Sequence, residues 1–299
     1  MTADSPALTT FVVLFAGLFG LVIGSFLNVV AYRVPAGMSI VPGSRCPNCG
    51  APIKPWQNVP VLSWIALRGK CAECSEAISP RYPIVELVTG VSFALIAWVA
   101  IGISTGSITR LGSNVGLTAN TASAFGGGAD SIAFWLVLVA FLYFSAISIV
   151  LTLIDLDTKR LPNAIVLPSY VVAVILFAAA ATLTNDWAAL VRAGAGMVIL
   201  YAFYFLLRVI RPGGMGGGDV KLAGVVGIYL GWLGWGALII GSFAAFVLGG
   251  LFGIGLMVFR KAGRKTAIPF GPWMLAGAWV GIFFGQPIAN WYVGMLTGT

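Results

Sequence analysis

The chain has 299 residues, 59% of them hydrophobic and only 9% charged, with a mean hydropathy of +0.99 and a formal net charge of +8. Soluble domains carry about 25% charged residues, so no water-facing shell can be built from this composition and a soluble globular fold is excluded. Histidine is absent, which removes Ser-His-Asp and Cys-His catalysis and every zinc-binding H-E-x-x-H helix.

The first element is an apolar run over roughly 11–30, with no Lys or Arg before it and Arg33 after it. A secretory signal has the reverse layout, a positive start and a small-residue cleavage site. Residues 1–32 therefore read as a retained transmembrane helix whose far end reaches the cytoplasm.

Residues 33–83 break the pattern. They are polar, hold all four cysteines, and carry Arg33, Arg45, Lys54, Arg68, Lys70 and Arg81. They read as a small cytoplasmic domain. Residues 84–299 form a membrane core, with spans expected at about 84–103, 132–154, 164–183, 188–209, 219–234, 236–259 and 270–297. The Gly, Ser, Thr and Asn-rich stretch 104–131 reads as an exterior loop.

The fold class expected is an all-α polytopic membrane protein. It has about eight transmembrane helices and a small zinc-binding cytoplasmic domain between the first and second. With the N-terminus outside, all but two of the 17 Lys and Arg fall at or near the cytoplasmic face, the exceptions being Arg110 and Arg192. That is the bias cytoplasmic loops show. The basic residues are scattered between spans and form no continuous stripe, so the lipid bilayer is an expected partner and nucleic acid is not. No sequence repeat is evident, and the 39 glycines suit close helix packing in lipid.

Cys46-Pro-Asn-Cys49 and Cys71-Ala-Glu-Cys74 are two C-x-x-C pairs separated by 21 residues. Four soft thiolates in two such pairs complete the tetrahedron that zinc accepts. Two disulfides, redox-active thiols or unliganded cysteines are the competing readings, and a reducing compartment disfavours persistent disulfides. A closed four-thiolate shell leaves no position for water, so a zinc ion here is structural.

Only nine acidic residues exist. Charges within spans are costly and usually functional, which singles out Asp155 and Asp157 at the end of the third span and Asp219 at the start of the sixth. Two facing carboxylates share a proton, one acting as base toward water and the other hydrogen-bonding the carbonyl under attack. The alternative is that both merely cap helices. Asp219, after Gly216-Gly217-Gly218, suits a first-turn acid, whereas an acid at Asp155, near a helix C-terminus, opposes the helix dipole.

The ordered motifs resemble those of the type IV prepilin peptidases, the leader peptidase/N-methyltransferases. They are Gly24-Ser-Phe-Leu-Asn-Val-Val-Ala-Tyr-Arg-Val-Pro35, the two C-x-x-C pairs, Asn58-Val-Pro-Val-Leu-Ser-Trp64 and Ser79-Pro-Arg-Tyr-Pro-Ile-Val-Glu-Leu-Val-Thr-Gly90. Ile154-Asp-Leu-Asp157, Gly214-Met-Gly-Gly-Gly-Asp-Val-Lys-Leu222 and Ile268-Pro-Phe-Gly-Pro272 complete the set. The resemblance implies a membrane aspartic peptidase of the G-x-G-D type, with Gly216-x-Gly218-Asp219 as that motif and Asp155 as the partner acid. Asp157 is then a neighbour.

The implied substrates are prepilins or pseudopilins, cut after the glycine that ends a short basic leader at the cytoplasmic side of the inner membrane. Methylation of the new α-amine by S-adenosylmethionine is also implied. No G-x-G-x-x-G fingerprint is present for that donor. Within 33–83 only Glu73 and Glu76, with Glu86 just beyond, offer negative charge to a basic leader. A transporter is a second reading, but it places its acids near the bilayer midplane on broken helices; a non-catalytic assembly protein is a third.

Overall fold

The computed structural model describes residues 6–41, 43–104, 124, 128–211, 215–259 and 269–297. Long apolar helices dominate them: α1 (Pro6–Arg33), α3 (Arg81–Ser104), α4 (Gly128–Thr158), α5 (Asn163–Thr184), α6 (Trp187–Ile210) and α8 (Trp235–Val258). These six are long and apolar enough to cross a membrane, and the protein is multi-pass. The short α2 (Leu62–Ala66) lies between the first two of them.

The remaining expected spans take other forms. α7 (Gly217–Leu233) has only 17 residues, about 25 Å at 1.5 Å per residue. Residues 271–297 divide into α9 (Gly271–Val280), a π-helical turn at Gly281–Gly285 and α10 (Gln286–Thr297). Residues 105–123 and 125–127, most of the expected exterior loop and Arg110 with it, lie outside the described residues.

Two compact units are distinguishable. The first comprises residues up to Trp98 with Leu142–Ile154, and the second Val99–Phe141 with Asp155–Thr299. In the first, α1 and α3 approach closely. A Cβ on Gly24 would stand 2.7 Å from Glu86 Cα, and one on Gly20 2.8 Å from the Thr89 carbonyl. Small residues at such crossings let dispersion contacts form between backbones where lipid offers no hydrophobic drive. The opposite face of α1 presents Phe11, Leu14, Phe15 and Leu18, all about 60% exposed, as a lipid-facing surface must.

In the second unit α7 is the central helix, with Leu222 through Trp232 buried without interruption. A helix apolar on every side belongs in a core. Gly227 and Gly196 of α6 meet backbone to backbone. Phe177 stacks on Trp232 at 4.5 Å and meets Tyr229 edge-on at 5.2 Å. Lys221 Nζ donates to Asn163 Oδ1 at 2.9 Å, and the Tyr170 hydroxyl donates to the Lys221 carbonyl. The start of α7 is thus fixed against the start of α5.

Arg192, one of the two basic residues expected on the outer side, has a specific occupation. Its Nε and Nη2 donate to the carbonyls of Gly231 and Trp232 at 2.9 and 2.8 Å. A cation is thereby held on the last carbonyls of α7, where the helix dipole favours it.

Candidate active site and metal centre

Asp155 is 4% exposed near the end of α4. Its Oδ2 accepts a hydrogen bond of 3.1 Å from the Gly271 amide, the first residue of α9. The α9 N-terminus thus supplies the donor and the positive dipole end that α4 cannot. Gly271 is dictated by space, because a Cβ there would stand 2.7 Å from Asp155 Oδ2.

Asp219 lies in the first turn of α7, and its Oδ2 accepts from the Gly216 amide at 3.1 Å. The capping role open to it in the sequence is therefore real, but it engages one carboxylate oxygen. Leu161 lies against a glycine next to each acid, Gly218 beside Asp219 and Gly271 against Asp155. A Cβ on Gly218 would stand 2.8 Å from Leu161 Cβ, and one on Gly271 3.5 Å from Leu161 Cδ1. Asp219 and Asp155 lie within electrostatic range of one another, and the Tyr204 phenol lies within range of Asp219. Tyr204 packs in turn on Phe246 and Phe270, with centroids 5.6 and 6.0 Å away. Asp157, two residues on, is exposed.

Sequence reasoning missed Leu161, Tyr204 and the role of Gly271. The last lay within the Phe-Gly-Pro motif, which by itself does not say which distant acid its amide serves.

The four cysteine sulfurs lie within 4.8 Å of one another. Cys46 Sγ and Cys74 Sγ are 3.8 Å apart, which is the edge of a tetrahedron with metal–sulfur bonds of about 2.3 Å. Two like turns build the site. The Cys46 amide donates to the Ala51 carbonyl and the Gly50 amide to the Cys46 carbonyl, both at 2.9 Å. The Cys71 amide donates to Glu76 at 2.8 Å and the Ser75 amide to Cys71 at 3.0 Å. Arg45 bridges Pro52 and Lys70 bridges Ala77 in the same way. The two turns repeat one backbone geometry at a 25-residue offset with few shared residues, so they form no repeat at the level of sequence.

The amides of Cys49 and Asn48 hold the Cys46 thiol down to about 7. At Cys49 the Ala51 amide lowers the thiol, but burial and the sulfurs of Cys74, Cys46 and Cys71 outweigh it and push it up to about 11. Crowded thiolates repel, and a divalent cation relieves that repulsion. The donor set and spacing fit a metal ion.

Family models match both parts of this arrangement. The bacterial peptidase A24 N-terminal domain matches residues 18–100, and the type IV leader peptidase family matches residues 142–254. The chain belongs to the type IV leader peptidase family. Among family members named prepilin leader peptidase/N-methyltransferase, that of Neisseria gonorrhoeae is 34% identical over 308 residues, covering 93% of this chain and 92% of that one. That of Aeromonas hydrophila is 33% identical over 302 residues, covering 92% of each chain. The Pseudomonas aeruginosa protein is 31% identical over 303 residues, covering 92% of this chain and 91% of the other. No solved structure matches the chain.

Proposed function

We propose that this leader peptidase family member is a membrane aspartic endopeptidase that removes the leader from prepilins or pseudopilins, with Asp155 and Asp219 as its catalytic pair. The observation carrying the proposal is the shared frame of the two acids. Each carboxylate is oriented by a backbone amide, Gly271 for Asp155 and Gly216 for Asp219, and Leu161 abuts the glycine beside each.

The chemistry follows from the pair. One carboxylate takes a proton from a water as the water oxygen attacks the scissile carbonyl. The other, protonated, donates to that carbonyl oxygen. The tetrahedral intermediate collapses as the leaving amine receives a proton, and the two acids return to sharing one. Fixing one oxygen of each carboxylate leaves the other to meet water and substrate, and rigid placement of this kind lowers the barrier by orientation.

The four cysteines hold a structural zinc ion on this reading, which braces residues 33–83 and takes no part in hydrolysis. S-adenosylmethionine supplies the methyl group for N-methylation of the new α-amine, as the names of the relatives imply. The division into a helix at 1–32, a zinc-binding segment at 33–83 and a peptidase core at 84–299 belongs to the same proposal. So does placement in the inner membrane with the N-terminus outside, which the distribution of Lys and Arg supports.

Incubating the purified protein with a leader-bearing prepilin and weighing the product's N-terminus by mass spectrometry tests the proposal. Cleavage after the leader glycine is expected, with an added methyl when S-adenosylmethionine is supplied. An intact precursor, under conditions where a P. aeruginosa relative cuts it, refutes the peptidase reading.

A further inference from the structure

Residues 33–83 leave large apolar side chains in the open. Trp56 and Leu62 are each 66% exposed, Ile65 60% and Val59 41%. The zinc site does not need them, since none is a cysteine neighbour, and neither carboxylate calls for them.

Their placement is set by Glu86. This carboxylate is buried, and its Oε2 accepts the Val61 amide at 2.7 Å. It therefore cannot serve as the free surface charge expected of it from sequence. Glu86 lies five residues into α3, about 7–8 Å along the helix from Arg81. Val61 is thus held alongside α3, more than one helical turn in from its first residue. The bond also sustains φ +60° at Val61, an uncommon and costly conformation for a β-branched residue.

From this point α2 divides its faces. Trp64 turns inward, its Nε1 donating to the Ile78 carbonyl at 3.1 Å with Gly69 beneath the ring. Leu62 and Ile65, three residues apart, share the outward face. Lys54 Nζ stands 5.5 Å from the Trp56 ring centre, the pairing of amphipathic ring and cation that suits a headgroup layer. The segment carries six Lys and Arg against Glu73 and Glu76 alone, so an anionic surface is its electrostatic complement.

We infer that residues 56–65 are an interfacial anchor: Trp56, Val59, Leu62 and Ile65 insert among anionic lipid headgroups on the side of the bilayer where α1 ends and α3 begins. The cysteine segment then lies against the membrane surface, held by the α1 and α3 connections and by this apolar patch. The inference needs only the membrane reading of α1 and α3 and stands whether or not the chain cleaves prepilins.

The test uses the full chain in vesicles of mixed phosphatidylcholine and phosphatidylglycerol doped with a phospholipid bearing a photoreactive group at the top of its acyl chain. Adducts are mapped by mass spectrometry. Labelling is expected at Trp56, Leu62 and Ile65, together with the lipid-facing Phe11 and Leu14 of α1, and should weaken at 56–65 when phosphatidylglycerol is omitted. Replacing Trp56, Leu62 and Ile65 together with Ser should cut the yield in this segment roughly tenfold without changing bound zinc. Labelled α1 residues beside an unlabelled 56–65 segment would overturn the inference. So would a segment untouched by lipid but protected from amide exchange when a prepilin is added, which would assign the face to substrate.

Discussion

Asp155 and Gly271, 116 positions apart in the chain, are joined by a hydrogen bond of 3.1 Å from the glycine amide to the carboxylate. The contact gives the Phe-Gly-Pro motif its task, to present a helix N-terminus to an acid that closes another helix. A Cβ on residue 271 would intrude to 2.7 Å from the carboxylate oxygen. Gly271→Ala should therefore displace Asp155 and lower cleavage by roughly 10–100-fold, with kcat falling more than KM rises. Asp155→Ala and Asp219→Ala should each abolish cleavage with membrane insertion intact, and Asp157→Ala should cleave normally. A prepilin assay with mass-spectrometric detection compares all four.

Elemental analysis of the purified protein should find about one zinc per chain. The four sulfurs lie within 4.8 Å of one another, so loss of one ligand leaves three thiolates crowded around a weaker site. Cys74→Ala should lose most of the metal and accelerate amide exchange across 43–80. Chelators should act slowly on the intact protein, because four thiolates leave no open position for a competing ligand.

How much of this was legible in the sequence depended on the distance over which each feature is encoded. Spans are local, and for the six long helices hydropathy marked the ends to within a few residues. The short helix at Gly217–Leu233 and the π-helical break at Gly281–Gly285 depend on packing that hydropathy does not report. The cysteine spacing is also local. Leu161 escaped notice because a leucine beside a span carries no signal until two glycines from different helices are seen against it. Glu86 was misread for a related reason: exposed and buried acids look alike in a sequence, and its partner is a backbone amide 25 residues earlier. The paired cysteine turns share a backbone path that Gly50 and Ser75 reach with different side chains.

That last difference makes a prediction about stability. Gly50 has φ +71° and Ser75, at the equivalent place in the second turn, φ +60°. An L-residue in this region is strained by about 1 kcal/mol or more, while glycine loses more chain entropy on folding. Ser75→Gly should raise the stability of the cysteine segment by a few tenths to about 1 kcal/mol. Gly50→Ala should lower it by a similar amount. Zinc release timed with a colorimetric chelator at rising temperature reports both.

Glu73 and Glu76 are exposed on the cysteine segment, and Asn48 Nδ2 donates to Glu76 Oε2 at 3.5 Å. Since Glu86 is engaged by Val61, Glu73 and Glu76 are the acids of the segment to test against a basic leader. Replacing both with Gln should raise KM about threefold to tenfold, the scale of one to two screened charge pairs, and leave kcat nearly unchanged. High salt should shrink the difference. A prepilin whose leader charges have been neutralised should show no effect of the substitutions, and an equal effect on both substrates would remove these acids from leader capture.

Arg192 offers a test of the core that is separate from catalysis. The guanidinium bonds the carbonyls of Gly231 and Trp232 at the end of α7, while Asp219 lies in that helix's first turn. Seventeen residues put the two ends about 25 Å apart. Arg192→Met keeps the apolar stem but strips both donors from the last carbonyls of a helix whose other faces are buried. Hydrogen bonds from a charged donor contribute about 1.5–3 kcal/mol, so the midpoint of thermal unfolding in detergent should fall by several degrees. Arg192→Lys supplies a point charge without the planar fork that spans two carbonyls, and should recover only part of the loss. Cleavage per folded molecule should stay near normal in both variants at low temperature. An unchanged melting midpoint in Arg192→Met would mean that water or lipid headgroups cap α7 as well as the guanidinium does.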